Sequence, residues 1–199
     1  INQALTVTDG VSDGTVVYRI TPEAGGCPGT PLDITVTVSP KPVITTPPTS
    51  FIQSICSGET LNLLPTSTVP TTTFNWTSSV VGTLTGVSAS GTGAITDTPV
   101  NNTNVPAVII YTVTPSNGAC EGTAVNYVVT VNPIPDIAAS DATICSGESP
   151  NVALSNPNAV AGTTFSWVVQ SASNVSGASP GSGNVIAQVL NSADGTNDG

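Results

Sequence analysis

The chain repeats itself at an interval of about 90 residues, and this repetition constrains its fold more than any other feature. Three pairs of segments match in the same order along the chain: Ile55–Glu59 and Ile144–Glu148, Thr72–Trp76 and Thr163–Trp167, and Val36–Pro40 and Val129–Pro133. A fourth pattern returns 93 residues later, with Tyr18, Pro22, Cys27 and Gly29 reappearing as Tyr111, Pro115, Cys120 and Gly122. Chance does not explain four collinear matches, so the chain is built from copies of one module.

Proline pairs mark the boundaries between the copies. Pro40-Lys41-Pro42 and Pro133-Ile134-Pro135 each follow a strand-like run, and X-Pro steps favour stiff, extended backbone. We therefore predict three parts: the C-terminal part of one repeat (residues 1–42), a complete repeat (43–135) and the N-terminal part of a further repeat (136–199). They are called the first, second and third repeats below.

The two ends of the chain correspond to each other. Residues 1–10 match residues 186–195 at an offset of 185 residues, which is about two repeats. The chain thus starts and stops at the same phase of the repeat, and we interpret it as a window of a longer chain.

The repeat has the composition and patterning of an all-β module. Val, Ile, Leu and Thr dominate, with 19 Gly and 17 Pro, and no segment shows helical apolar periodicity. Apolar residues mark five strands in the complete repeat, at Leu61 and Leu63, Phe74 and Trp76, Ile95, Ile109 to Val113, and Val125 to Val131. Short alternating strands separated by turn residues, in a module of ~90 residues, predict tandem immunoglobulin-like β-sandwiches.

Composition also excludes several classes of function. The chain has no His, and Arg19 and Lys41 are its only basic residues against 12 acidic ones. A Ser-His-Asp or Cys-His nucleophile, an imidazole-bound metal and a nucleic-acid-binding patch are therefore absent. No apolar run approaches the ~20 residues of a membrane-spanning helix. We predict a protein that is not an enzyme, holds no cofactor or metal, binds no nucleic acid and does not insert into a membrane.

The ordered motifs Ile-Cys-Ser-Gly-Glu, Thr-Thr-Phe-x-Trp, Tyr-x-Val-Thr-Pro, Gly-x-Cys-x-Gly and Val-Thr-Val-Asn-Pro-x-Pro carry a resemblance. The chain resembles the PKD-like repeats of giant surface adhesins of Bacteroidetes-type bacteria, such as the gliding-motility adhesin exported by type IX secretion. The resemblance covers essentially the whole chain, and Arg19 departs from it where Val or Thr is commoner. It implies immunoglobulin-like repeats at the cell surface, outside the cell, that act as the stalk of an adhesive filament.

The four cysteines are the candidate sites of structural disulfides. Cys56 and Cys120 lie in the complete repeat, and Cys145 and Cys27 are their equivalents in the neighbouring repeats. An even number of widely spaced cysteines without a Cys-x-x-Cys pair favours disulfides over zinc, with free thiols as the alternative.

Two pairings are open for these cysteines. We favour Cys56 to Cys120 within one repeat, which closes a loop of ~64 residues. If an odd number of strands separates the two, however, they lie at opposite ends of the sandwich. The cysteine before the second strand of one repeat then faces the cysteine in the F–G turn of the next.

Two further patterns have a structural and a functional interpretation. Asp9 and Asp13, echoed by Asp194 and Asp198, stand beside glycines and offer oxygen ligands for calcium, but turn formation explains them better. The pairs Phe74 with Trp76 and Phe165 with Trp167 suit sugar stacking, but alternation places both rings of a pair on one face, which favours core packing.

We expect the chain to be a structural stalk whose partners are neighbouring repeats of the same fibre. One alternative is a binding module that contacts a glycan or a protein through the loops Val80–Gly93 and Ser171–Gly183, because loops carry binding more often than strands do. Another is a subunit of a strand-exchanging extracellular filament. The matching ends of the chain weigh against that second alternative, because both would offer the same strand.

Overall fold

The structure is a computed structural model of the 199-residue chain and describes residues 2–48, 53–118 and 120–193. The described residues contain no α-helix, and the chain is all-β. In chain order the strands are β1 (Gly14–Ile20), β2 (Glu23–Ala24), β3 (Cys27–Pro28), β4 (Leu32–Val38), β5 (Gln53–Cys56), β6 (Thr73–Val81), β7 (Ser90–Thr92), β8 (Ala107–Asn117), β9 (Cys120–Glu121), β10 (Val125–Asn132), β11 (Val152–Ala153), β12 (Ser166–Trp167), β13 (Val175–Ser176), β14 (Gly181–Ser182), β15 (Val185–Ile186) and β16 (Asn191–Ser192).

The second repeat contains the main sheet, whose strand order is β5-β10-β8-β6-β7, with β9 paired to the end of β8. Neighbouring strands are antiparallel except β5, which runs parallel to β10. The register places Tyr127 of β10 opposite Tyr111 of β8, and Val113 of β8 opposite Trp76 of β6.

Alternation along β8 and β10 produces the core. Every second residue of β8 from Ala107 to Val113 is buried, and the same period continues on β10 from Tyr127 to Val131. Successive side chains point to opposite faces of a strand, so one face of the sheet is almost wholly apolar. The buried residues that cluster there are Ile55, Leu61, Leu63, Trp76, Ile95, Ile109, Tyr111, Val113, Tyr127, Val129 and Val131.

A second layer covers this face. Leu63 and Ile95 form an antiparallel bridge with reciprocal backbone hydrogen bonds of 3.1 and 2.9 Å, and the N–H of Leu61 donates to the carbonyl of Asp97 at 2.8 Å. Two layers around one apolar core confirm the predicted immunoglobulin-like β-sandwich. The strands expected at Leu61 to Leu63 and at Ile95 are reduced to this one bridge. The strand β5 was not predicted from the sequence.

Trp76 fills the centre of the sandwich. Its ring meets Tyr111 edge to face, with centroids 5.7 Å apart and planes at 83°. Gly91 lies on the Trp76 ring, where an added Cβ would overlap it. Gly181 stands in the same way on Trp167, so the third repeat reproduces the arrangement.

The chain divides into two compact units, Ile1–Asn101 with Ala107–Asn132, and Asn102–Pro106 with Pro133–Gly199. The first and second repeats share the first unit, in which β1 and β4 of the first repeat form an antiparallel pair. The second unit holds the third repeat, where the described strands form three short antiparallel pairs, β11–β15, β12–β14 and β13–β16.

Candidate functional site at the repeat junction

All four cysteines lie in described ranges, and each carries a free thiol. Cys27, Cys56 and Cys145 are exposed, whereas Cys120 is half-buried. The structure thus holds no disulfide at the four candidate positions. What it does define is where each thiol lies within its repeat.

Cys56 ends β5 and opens a tight turn, which Cys145 reproduces in the third repeat. The carboxylate of Glu59 accepts a hydrogen bond from the Cys56 N–H at 2.8 Å, and the Glu59 N–H donates to the Cys56 carbonyl at 3.1 Å. Glu148 makes the same two bonds with Cys145, at 3.2 and 3.1 Å. Gly58 has a φ of +83°, a left-handed conformation that favours glycine. The Ile-Cys-Ser-Gly-Glu motif therefore specifies a turn that fixes the cysteine backbone.

Cys120 lies at the opposite end of the main sheet. It stands on β9, opposite Asn117 at the end of β8. Its sulfur lies 3.7 Å from the carbonyl oxygen of Ser39, the residue that precedes Pro40. Cys120 thus contacts the point where the first repeat ends.

The structure does not bring Cys56 and Cys120, the favoured pair, together. Cys56 is opposite Asn132, the last residue of β10, whereas Cys120 lies beyond Val125, the first residue of that strand. The eight residues of β10 span about 25 Å. A disulfide holds its two Cα atoms only ~4.4–6.8 Å apart. The cause is the parallel strand β5, which carries Cys56 to the far end of the sheet.

The proline segment between the first two repeats is packed against the second repeat. Pro40 and Pro42 are buried, and Lys41 between them is exposed. Gly122 lies directly against the Pro42 backbone, where an added Cβ would overlap the Pro42 carbonyl oxygen. Any residue larger than glycine at position 122 would therefore disturb this contact.

Hydrogen bonds continue this attachment beyond Pro42. The Thr45 N–H donates to the Thr66 carbonyl at 2.9 Å, and the Thr68 N–H donates to the Val43 carbonyl at 3.0 Å. The Tyr127 hydroxyl donates to the Thr46 carbonyl at 3.0 Å. The chain is therefore held in place as it enters the second repeat.

The contacts that Ser39, Pro42 and Gly122 make at this junction were not predicted from the sequence. The available signal was the recurring Cys-x-Gly spacing, which places Gly122 two residues after Cys120. Nothing in that spacing shows that the glycine contacts the preceding proline pair, because the contact is tertiary.

Asp9 acts in a turn. Its carboxylate accepts hydrogen bonds from the N–H groups of Val11 and Ser12 at 2.9 and 3.0 Å. These bonds, that of Ser12 above all, lower the pKa of Asp9. Within the part of the chain that the structure describes, no cluster of His, Cys, Asp or Glu could hold a metal ion. Asp194 and Asp198 lie outside the described residues.

The pair Phe74 and Trp76 belongs to the core of the second repeat rather than to a sugar-binding surface. Trp76 is 7% exposed and Phe74 packs against the same cluster. Phe165 and Trp167 are half-buried.

The loop between β6 and β7, one of the two candidate binding loops, is tied to the second layer. The Ser88 N–H and hydroxyl donate to the Asp97 carboxylate at 3.0 and 2.7 Å. The Ser78 N–H donates to the Ala89 carbonyl at 2.9 Å. In the third repeat, Gln188 accepts from the Ser179 N–H at 3.0 Å and takes the place of Asp97.

Two buried tyrosines are the most strongly perturbed titratable groups of the second repeat. Burial is the larger cause and a hydrogen bond to Asp97 the smaller cause that raise the pKa of Tyr111 far above its usual range. Burial also raises the pKa of Tyr127. Both phenols are therefore neutral structural groups at physiological pH.

No helix of the described residues is long and apolar enough to cross a membrane. A family model described as a PKD-like domain matches residues 1–42, 53–135 and 142–198. No curated protein matches the chain. PKD-like domains are commonly extracellular and are typically non-catalytic structural modules. With matches across nearly its whole length and a β-sandwich at its centre, the chain belongs to the PKD-like domain family.

Proposed function

We propose that these repeats form the stalk of a large extracellular surface adhesin and hold an adhesive element away from the cell. One observation carries the proposal: the chain enters and leaves the second repeat at opposite ends of β10. It enters beside Cys120 and Gly122, where Ser39 and Pro42 make contact. It leaves after Asn132, the last residue of β10.

This arrangement suits a linear fibre. A module with its two chain connections at opposite ends passes the chain onward in one direction, and identical modules then stack head to tail. Tension applied to the chain acts along β10, which lies between β5 and β8 in the sheet.

The packed junction supports stiffness. Pro40 and Pro42 are buried, and Gly122 of the second repeat lies against Pro42. Proline also has a fixed φ angle. A joint of this kind bends less than a solvated linker does. The family resemblance implies a more specific version of this proposal, in which the adhesin is exported by type IX secretion and takes part in gliding motility.

The experiment measures the distance across this joint by pulsed electron paramagnetic resonance. Spin labels are placed on Cys27 and Cys56 of the full chain, with Cys120→Ser and Cys145→Ser. A stalk predicts a narrow distribution near ~50 Å, which is the length of two successive strands of about 25 Å.

The matched control carries Pro40→Gly and Pro42→Gly in the same labelled chain. We expect the distance distribution to broaden in this variant, because glycine removes the fixed φ angles and the packed rings. A broad distribution already present in the unmodified linker would contradict the stalk.

A further inference from the structure

Two cysteine positions converge on one residue of the repeat. In the second repeat, Cys56 is the register partner of Asn132, and the Ser57 N–H donates to the Asn132 carbonyl at 2.8 Å. Asn132 corresponds to Ser39, since both precede the proline pair in the Val-Thr-Val-x-Pro motif. Cys120 lies 3.7 Å from the Ser39 carbonyl oxygen. When the repeats are superimposed in sequence, the β5 cysteine of the preceding repeat and the β9 cysteine of the following repeat therefore map beside the same residue.

We infer that consecutive repeats are joined by a disulfide between these two cysteines. The bond links the cysteine of Ile-Cys-Ser-Gly-Glu in one repeat to the cysteine of Gly-x-Cys-x-Gly in the next. The inference rests on the proposed function in one respect, the head-to-tail succession of identical repeats.

The chemistry of the cysteines fits this bond. Cys56 and its equivalent Cys145 are exposed on a turn whose backbone is fixed by a glutamate. Cys120 is half-buried at the junction itself. The 199 residues contain no cysteine of the first repeat that is equivalent to Cys56 on β5. They also contain no cysteine of the third repeat that is equivalent to Cys120 on β9. Neither junction of this chain therefore carries both types of cysteine.

The bond forms by thiol–disulfide exchange with a disulfide-bearing oxidant, either a thiol oxidoreductase or oxidised glutathione. One cysteine thiolate attacks a sulfur of the oxidant, and a mixed disulfide forms as one thiolate leaves. The second cysteine thiolate then attacks the mixed disulfide and expels the other thiolate of the oxidant. The two cysteine protons pass to the two leaving thiolates, and the two electrons reduce the oxidant to its dithiol form or to two glutathiones.

The test uses a fusion that keeps the phase of the repeat. Residue 199 corresponds to residue 14, so a full chain followed directly by residues 15–199 of a second copy completes the third repeat. The fusion then contains two complete junctions with both cysteine types. It is refolded with reduced and oxidised glutathione, digested without reduction and mapped by mass spectrometry.

We expect two bonds in the fusion. Cys56 of the first copy pairs with Cys27 of the second copy, and Cys145 of the first copy pairs with Cys120 of the second copy. The variants Cys56→Ser and Cys145→Ser, made in the first copy alone, each remove one bond and leave the other. A bond between Cys56 and Cys120 of the same copy would overturn the inference. So would free thiols throughout a fusion whose near-ultraviolet circular dichroism shows a packed core.

A second measurement on the 199-residue chain applies even if the fusion does not fold. Ser39→Cys places a thiol at the convergence point, and we expect it to bond with Cys120 in glutathione buffer. Thr37→Cys, one pleat further along β4, serves as the matched control and stays unbonded. If Ser39→Cys stays reduced as well, the cysteines do not meet at the junction and the inference fails.

These outcomes are separable from those of the stalk proposal. A narrow spin-label distance distribution with no inter-repeat bond keeps the stalk and removes the disulfide. A broad distribution with both bonds formed in the fusion keeps the cross-link and removes the stiff joint.

Discussion

The hydroxyl of Tyr111 donates a 2.7 Å hydrogen bond to the Asp97 carboxylate, which joins the main sheet to the second layer of the sandwich. The first repeat makes the corresponding bond, from the Tyr18 hydroxyl to Gln3 at 3.2 Å. The partner residue changes from an amide to a carboxylate, while the tyrosine is the same. A buried phenol that reaches a polar group at the rim therefore holds the two layers in register.

Removing this hydroxyl should destabilise the second repeat. For Tyr111→Phe we expect a loss of about 1.5–3 kcal/mol in the free energy of unfolding, since a hydrogen bond to a charged group is lost while the ring stays packed. Urea unfolding followed by tryptophan fluorescence measures the change. Tyr18→Phe is the control, and its effect should be smaller because Gln3 is exposed. Equal stability of Tyr111→Phe and the parent chain would show that the bond does not hold the layers together.

The free energy of unfolding of the second repeat should fall as the pH rises above the ordinary tyrosine pKa of about 10. Burial raises the pKa of Tyr111 and of Tyr127 in the folded state, so above this pH the unfolded chain loses phenol protons that the folded chain keeps. The stabilising contribution is complete below the unfolded pKa and is lost as the pH rises toward the folded pKa, at up to about 1.4 kcal/mol per pH unit for Tyr111. Urea midpoints recorded across this range give the slope. Tyr111→Phe should have a shallower slope, and an unchanged slope would exclude Tyr111 as its source.

Gly91 should tolerate no side chain. An added Cβ would overlap the Trp76 ring, and overpacking of a filled core costs about 1–3 kcal/mol. We expect Gly91→Ala to lower the urea midpoint and to weaken the near-ultraviolet signal of tryptophan. Gly14→Ala is the control, because its Cβ would stand 3.5 Å from Val7 in ordinary contact. If both variants unfold like the parent chain, Trp76 is not packed on Gly91.

Gly122→Ala should loosen the junction between the first and second repeats. The new methyl group would overlap the Pro42 carbonyl oxygen and displace the proline segment. Hydrogen exchange should then rise at the N–H groups of Thr45 and Thr68, which are bonded in the parent chain. Glu121→Ala, at an exposed neighbouring position, should leave exchange unchanged. Unaltered exchange in Gly122→Ala would mean that the segment is held independently of this contact.

Local patterns in the sequence were enough to predict the sandwich and its core. Alternation alone placed Trp76, Tyr111 and Val129 on one buried face, because a strand has a period of two. Tertiary pairing was not predictable in the same way. The strand β5 has only four residues, Gln53–Cys56, and its parallel pairing with β10 depends on the whole sheet.

The same limit applies to the cysteines. The sequence left the number of strands between Cys56 and Cys120 undecided, and the parallel pairing of β5 with β10 is what places Cys56 at the end of the sheet opposite Cys120. The proline pair shows the same limit. Residue preferences predict that Pro40 and Pro42 are extended, but their burial depends on tertiary contacts such as that of Gly122 with Pro42.

The central claim is that repeats add length in one direction, and small-angle X-ray scattering tests it most directly. The 199-residue chain is compared with the phase-keeping fusion, which nearly doubles its length. A head-to-tail stalk predicts that the radius of gyration rises about 1.9-fold, in proportion to the number of repeats, whereas a compact globule would gain only about 1.3-fold. A ratio near the larger value supports the stalk, and a ratio near the smaller one would contradict it.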